Sequence, residues 1–323
     1  MFDPALLEQV IVELLGELKP HARRDPRLKD IDRTLVLCDG TLLRALPRLA
    51  EAMWKHSRTG NPMYGWRMHC QFELDRHAPS DVALTPYRCQ GDEQTVLKAK
   101  LKPGCCYVYD RGYFDYGLFN AVVDAGSDYV GRVKKSIAFE VVEERALTPA
   151  ARAAGVVRDA LVTAGSAHDR RADHPLRLVW VQAQVHPRSA RGEGKAGPPK
   201  TELLLIATSL LHAPVELIAL IYRYRWTIEI FFRFFKHLLG CRHLISDDPR
   251  GITIQCYCAV IGCLLLNLWT GRRKANVATY RMVHWYLAGL ADEDELLAHL
   301  NKPPPNTGVK LRAKAELWKT MGW

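Results

Sequence analysis

No pair of cysteines in this 323-residue chain is spaced C-x-x-C, although nine cysteines are present. The odd number and scattered positions argue against a zinc ribbon or finger and against a disulfide framework. Most sit in apolar runs and read as small buried hydrophobes. No GxGxxG stretch and no P-loop lysine pattern occurs, so a nucleotide cofactor is not implied. "MFDPALLEQVIVELLGELKP" at the N-terminus carries acids and lacks the basic n-region of a secretory signal. The longest apolar run, Cys256 to Trp269, falls short of the roughly 20 residues that span a bilayer and reads as a core helix. A reducing, cytoplasmic setting with no membrane partner is the expectation. No internal repeat is visible.

Acidic residues are also in short supply. There are 35 against 45 Lys and Arg, a formal net charge of +10 and a pI near 9.2. Such an excess suits a polyanionic partner, and charge alone does not separate DNA, RNA and an anionic membrane. Hydrophobic content of 48% is ordinary for a globular chain with a sizeable core.

What is present reads as α/β alternation. Residues 4 to 18 have helical periodicity, and a charged linker follows. "TLVLCDGT" and "CCYVYDRGY" are short apolar runs, each closing on an aspartate, Asp39 and Asp110. "WRMHCQFELD" alternates with period two, and "DVALTPYRC" fits as its hairpin partner across "RHAPS". "DEQTVLKAKL" and "YFDYGLFNAVVDAG" read as helices and "DYVGRVKK" as a strand. Residues 136 to 208 then change character, with strands at "IAFEVV", "LRLVWVQAQVH" and "ELLLIATSL" around the polar loop "PRSARGEGKAGPP". Helices resume at Val215 and again from about Ile252. The expectation is an α/β layer fold with a β-rich excursion.

"YRYRWTIEIFFRFFKHLLG", residues 222 to 240, has Glu229 as its only acid. On one continuous helix, Tyr222, Arg225, Glu229 and Lys236 fall on a narrow polar stripe about 21 Å long, with Arg233 beside it. The rest of the circumference is apolar, which predicts an interior helix. Glu229 is expected to pair with Arg225 four residues back. Asp39 and Asp110 stand at strand ends, where α/β sheets place functional groups. Three carboxylates from distant positions can bind two divalent ions and activate water on a phosphodiester. Hard oxygen donors favour Mg²⁺ or Mn²⁺ over Zn²⁺. An aspartate before glycine is also a common turn residue.

Taken together, these residues resemble a known family. Tyr222, Arg225, Glu229 and Lys236 match Y-x2-R-x3-E-x6-K, similar to the YREK signature of IS4-family insertion-sequence transposases of the DDE type. "CDGTLLRALP" and "YDRGYFDYGLF" resemble that family's two aspartate motifs, and "RGITIQCYCAVIGCLLLNLW" resembles the helix after its glutamate. The likeness runs from about residue 31 to 270. It implies an RNase H-like core, a mixed sheet flanked by helices, over residues 31–135 and 209–270. A β-rich insertion at 136–208 would precede the glutamate helix, between a short helical segment at 1–30 and a basic region at 271–323. It implies Asp39, Asp110 and Glu229 as a catalytic, metal-binding triad for two Mg²⁺ or Mn²⁺ ions. Tyr222, Arg225, Lys236, Arg233 and Trp226 would line the bound DNA, and Trp180 would stack on a displaced base. The partners would be double-stranded DNA, both transposon ends and target, and a second copy of the chain in the DNA complex.

Only 38 residues precede Asp39, fewer than the family usually carries, so a truncated or compact variant is one expectation. A non-catalytic DNA-binding or inhibitory relative and a structure-specific nuclease stay open beside the transposase. His69 and Cys70, adjacent on a strand, point to opposite faces and do not make a metal pair. His237 and His243 read as structural or phosphate-facing. The basic tail "GVKLRAKAELWKTMGW" reads chiefly as a solvated amphipathic helix.

Overall fold

A computed structural model describes residues 3–20, 25–44, 53–56, 62–86, 93–165, 171–185, 200–237, 241, 244–246, 248–270 and 277–301. The loop at 187–199, His243 and the tail from 302 lie outside the described residues.

The chain forms an α/β structure around a mixed sheet. Strands β1 (Thr34–Arg44), β2 (Met53–His56), β3 (Pro62–Glu73), β4 (Ala78–Pro86), β5 (Cys105–Tyr109) and β6 (Asp128–Arg132) make one half. The other half is β7 (Phe139–Glu144), β8 (Val156–Ala164), β9 (Leu176–Val185) and β10 (Lys200–Thr208). The order is β2-β3-β1-β5-β6-β10-β9-β8-β7, with β4 also on β3. β1 is antiparallel to β3 and parallel to β5, and β5 is parallel to β6. This is the connectivity expected of an RNase H-like core. β10 then pairs antiparallel with β6, so the strands between residues 139 and 208 prolong the central sheet.

Burial on both faces explains the continuous apolar runs. Leu35, Leu37, Cys106 and Val108 face one core, while Val36, Cys38, Tyr107 and Tyr109 face the other. The first core lies under α1 (Pro4–Glu17), α5 (Val215–Tyr224), α6 (Trp226–His237) and α7 (Pro249–Thr270). The second lies under α3 (Tyr116–Asp124), reached through the short α2 (Glu93–Lys98). α4 (Pro149–Ala153) sits in the outer-strand region, and α8 (Val277–Leu287) and α9 (Glu293–Asn301) follow the core. α1 and α3 start on the side chains of Asp3 and Asp115, which accept from backbone N–H groups of the first turn.

Three expectations need correction. β1 does not end at Asp39: it runs on to Arg44, with Asp39 opposite Cys70 and Gly40 opposite His69 on β3. The Asp-Gly turn signal is overridden because β3 supplies ladder partners beyond it. The stretch from Tyr222 is not one helix, since α5 closes at Tyr224 and α6 opens at Trp226. Its outward side is less apolar in setting than expected, with Ile230 exposed. The third concerns α7, which is 22 residues long. It is, among the described residues, the one helix long and apolar enough to cross a membrane. Length therefore does not decide its role. It packs against α1 and β4, with Ile252, Cys256, Val260, Cys263 and Leu264 buried at helical spacing in the core.

The outer strands are tied to the start of α5. Arg177 on β9 and Asp159 on β8 form a buried ion pair, Nε to Oδ1 at 2.7 Å. The same guanidinium donates to the carbonyls of Leu211 and Ala213, and Arg145 also donates to Leu211.

Candidate active site

Sheet register brings the two aspartates together. The parallel pairing of β1 and β5 ends at Cys38 opposite Tyr109. Asp39 and Asp110 are the next residue on each chain, so both stand where the two strands part. Side chains alternate across a strand. Asp39 shares the parity of Leu35 and Leu37, and Asp110 that of Cys106 and Val108, so both face the side covered by α5 and α6.

The joint between those helices carries Arg225, in αR geometry just past α5. Its guanidinium enters the gap between the acids. Nη2 donates to Glu229 Oε1 at 2.8 Å, and Nη1 lies 3.5 Å from Asp39 Oδ2. Tyr222, one turn earlier, donates its hydroxyl to Asp110 Oδ1 at 3.2 Å. Arg132, at the end of β6, approaches the same oxygen at 4.0 Å and pairs with Glu202. Arg225 is 7% exposed, and its Nε is buried without a hydrogen-bond partner among the described residues. Its ring neighbours are Tyr222 and Trp226, with centroids 5.9 and 5.6 Å from the guanidinium carbon.

The charges respond to this setting. Burial pushes the Asp39 carboxyl up to about 6, against the opposing pull of Arg225 and the Gly40 N–H, which donates at 2.8 Å. Glu229 and Glu93 add to the rise. For Asp110, burial also works upward, but Arg225, the Arg111 N–H, Arg132 and Tyr222 outweigh it and hold the carboxyl below its usual range. Burial works against the charged form of Arg225, yet Tyr222, Asp110, Glu229 and Asp39 raise its affinity for the proton. It stays a cation.

Among the described residues, no three His, Cys, Asp or Glu side chains converge closely enough to hold one metal ion. The three acids surround a guanidinium instead. Their donor chemistry still fits a hard divalent cation: all the donors are carboxylate oxygens, and Asp39, Asp110, Glu229 and Glu202 outnumber the guanidiniums of Arg225 and Arg132.

Comparison with known proteins gives the family. The family model of the transposase DDE domain matches residues 26–268. The chain belongs to the DDE-domain transposases. It is 25% identical over 293 residues to "Putative transposase y4zB" of Sinorhizobium fredii, covering 90% of this chain and 75% of that one. It is 26% identical over 207 residues to "Probable transposase for insertion sequence element IS5377" of Geobacillus stearothermophilus, covering 63% of this chain and 49% of that one. A solved piggyBac transposase synaptic complex with hairpin DNA aligns at a TM-score of 0.40 and 10% identity, over 87% of this chain and 56% of that one.

The other expected residues of this transposase are placed less centrally. Arg233 is exposed and Lys236 half-buried, both further along α6. Trp180 on β9 has the Arg158 guanidinium over its ring at 4.4 Å and Phe139 edge-on at 5.8 Å, so one face is already covered. His69 bonds Thr85 Oγ1 at 2.8 Å, while Cys70 lies in the first core. The side chain of His237 lies outside the described set. Sequence reasoning missed Arg132, which closes the Asp110 side. A hollow of about 320 Å³ opens there, lined by Arg111, Arg132, Lys134, Lys135 and Glu202. The basic run around "GRVKK" was the available signal.

Proposed function

We propose that this chain is a transposase of the IS4 type, cleaving DNA strands at transposon ends and joining them to target DNA. Asp39, Asp110 and Glu229 are its reacting-centre carboxylates. The observation that carries the reading is the meeting of these acids, from β1, the end of β5 and α6, around the buried Arg225. A fold alone does not assign a function, and a site does. The core comprises residues 31–135 and 209–270, with 136–208 as the insertion ahead of the glutamate helix.

Mg²⁺ or Mn²⁺, held as a pair by Asp39, Asp110 and Glu229, would supply activation of the attacking water or 3′-hydroxyl and stabilisation of the leaving oxygen. The chain's own residues do the rest. Arg225 compensates the acids while the site is free of DNA, and its planar fork suits a phosphate when DNA arrives. Tyr222 fixes the Asp110 carboxylate by its hydroxyl. The depressed Asp110 stays ionised at neutral pH, ready as a ligand. Arg111, Lys134 and Lys135 border the hollow beside Asp110 and extend positive charge along the path of a phosphate backbone. Lys236, Arg233 and Trp226 continue it on α6. The partners are double-stranded DNA and, in the DNA complex, a second copy of the chain; the setting is cytoplasmic.

The test uses the full chain and plasmid DNA carrying the element's ends. With Mg²⁺ or Mn²⁺, the wild type nicks and transfers strands, and Asp39→Asn, Asp110→Asn and Glu229→Gln each abolish nicking while still melting cooperatively. Nicking retained in any of the three refutes the site. Nicking without strand transfer marks a nuclease, and DNA binding without nicking marks a non-catalytic relative.

A further inference from the structure

Each aspartate is followed by a glycine: Gly40 directly after Asp39, and Gly112 two residues after Asp110. Neither glycine has a positive φ, so backbone freedom does not explain them. Space does. A Cβ built on Gly40 would stand 2.9 Å from Glu93 Oε1, and one on Gly112 would stand 2.9 Å from Glu93 Oε2. The two oxygens of a single carboxylate therefore each face one of the two glycines.

That carboxylate is held in place. Arg67, on β3, donates to Glu93 Oε1 at 2.9 Å. Glu93 opens α2, which packs on β1 and on the 3₁₀ turn Arg111–Tyr113. The next residue, Gln94, donates its side-chain amide to the Gly112 carbonyl at 2.7 Å. The first turn of α2 is thus attached to both segments that carry the aspartates. Glu93 and Arg67 are mostly buried, with side chains 19% and 22% exposed.

We propose that Glu93 is a positioning residue: its carboxylate is a spacer seated between the backbones that follow Asp39 and Asp110, and it sets the separation of those two acids. This rests on the reading of Asp39 and Asp110 as reacting-centre carboxylates. Glu93 acts through them and needs no contact with DNA. Both glycines are bare because the spacer occupies the volume their side chains would take. Filling that volume from either side, or emptying it, changes the distance between the acids.

The experiment combines melting and plasmid nicking in Mn²⁺ on the full chain. Removing a group that orients metal-site ligands commonly costs 10–100-fold, so Glu93→Ala is expected to lower nicking by roughly that factor. Affinity for a duplex oligonucleotide, read by gel shift, should change less than about twofold, because the loss falls on turnover and not on binding. Glu93→Gln fills the same space and restores nicking to within about threefold of wild type. Gly40→Ala lowers the melting temperature in the wild-type background, and residues in contact couple. In the Glu93→Ala background that drop should at least halve, since the obstructing oxygen is gone.

Equal drops in both backgrounds overturn the spacer. So does Glu93→Gln as inactive as Glu93→Ala, which would make the charge, not the volume, the working feature. If the wild type fails to nick, the proposed function falls. The melting cycle then still reports whether Glu93 separates the two segments, so the two failures are distinguishable.

Discussion

Gly131 is a position where one added methyl group should be costly. It lies on β6 opposite Tyr109 of β5, and the tyrosine ring lies across it. A Cβ at 131 would stand 2.2 Å from Tyr109 Cε2, 2.7 Å from Cδ2 and 3.0 Å from Cζ. The ring cannot retreat. It is fully buried, with the rings of Tyr113, Phe119 and Tyr129 centred 5.6, 6.3 and 6.3 Å away. Overpacking a well-filled core costs about 1–3 kcal/mol. Gly131→Ala belongs at the upper end, since overlap involves three ring atoms and the surround is itself aromatic. For a chain of this size, about 3 kcal/mol corresponds to a fall of several degrees in melting temperature. The strain falls beside the site, because Tyr109 precedes Asp110 and Gly131 precedes Arg132. Differential scanning calorimetry of Gly131→Ala, alone and with Tyr109→Leu, checks this. The double variant should recover part of the loss, as the smaller side chain leaves room. Melting of Gly131→Ala within a degree of wild type would refute the packing argument.

Arg177→Met should destabilise by about 3–5 kcal/mol in urea unfolding, because Asp159 would be left buried and unpaired. Adding Asp159→Leu should return most of it. For Asp39, whose folded pKa is raised from 3.8 to about 6, the stability contribution is full below the unfolded value and lost as pH rises through about 6. Asp39→Asn should therefore match wild type near pH 4 and exceed it at pH 7.5, by no more than about 3 kcal/mol. A gap that does not vary with pH counts against a buried, desolvated Asp39. Lys236→Ala and Arg233→Ala should each weaken duplex binding and reduce the slope of log K against log salt by about one; an unchanged slope removes them from the phosphate path.

Much of the core was legible because its strands are buried on both faces. "TLVLC" and "CCYVY" are continuous apolar runs for that reason, and Asp39 and Asp110 do stand in matched positions just past the β1–β5 pairing, although β1 itself runs on to Arg44. The hairpin of β3 and β4 was visible in strict alternation. β8 was not. Its sequence, "VVRDALVTA", places Asp159 inside, where Arg177, 18 residues on, makes an acid tolerable. The break at Arg225 was hidden too, since both flanking segments keep helical periodicity and nothing local marks the joint. Pairing of β10 with β6 is a contact between distant residues that periodicity does not encode. Glu93 read as an ordinary helical residue. The glycines after both aspartates were the available clue, and they read as turn signals because no local pattern shows what fills the space above them.

The ties from Arg145 and Arg177 to the Leu211 and Ala213 carbonyls have a consequence for Glu229. The outermost strands serve as an abutment: they brace the chain just before Val215, where the helix leading to Arg225 begins. Trimming β8 and β9 would thus loosen an arginine more than ten residues downstream without touching any side chain around it. A relative with a shorter excursion must anchor its own equivalent carbonyls by another route, or accept a looser grip on its glutamate.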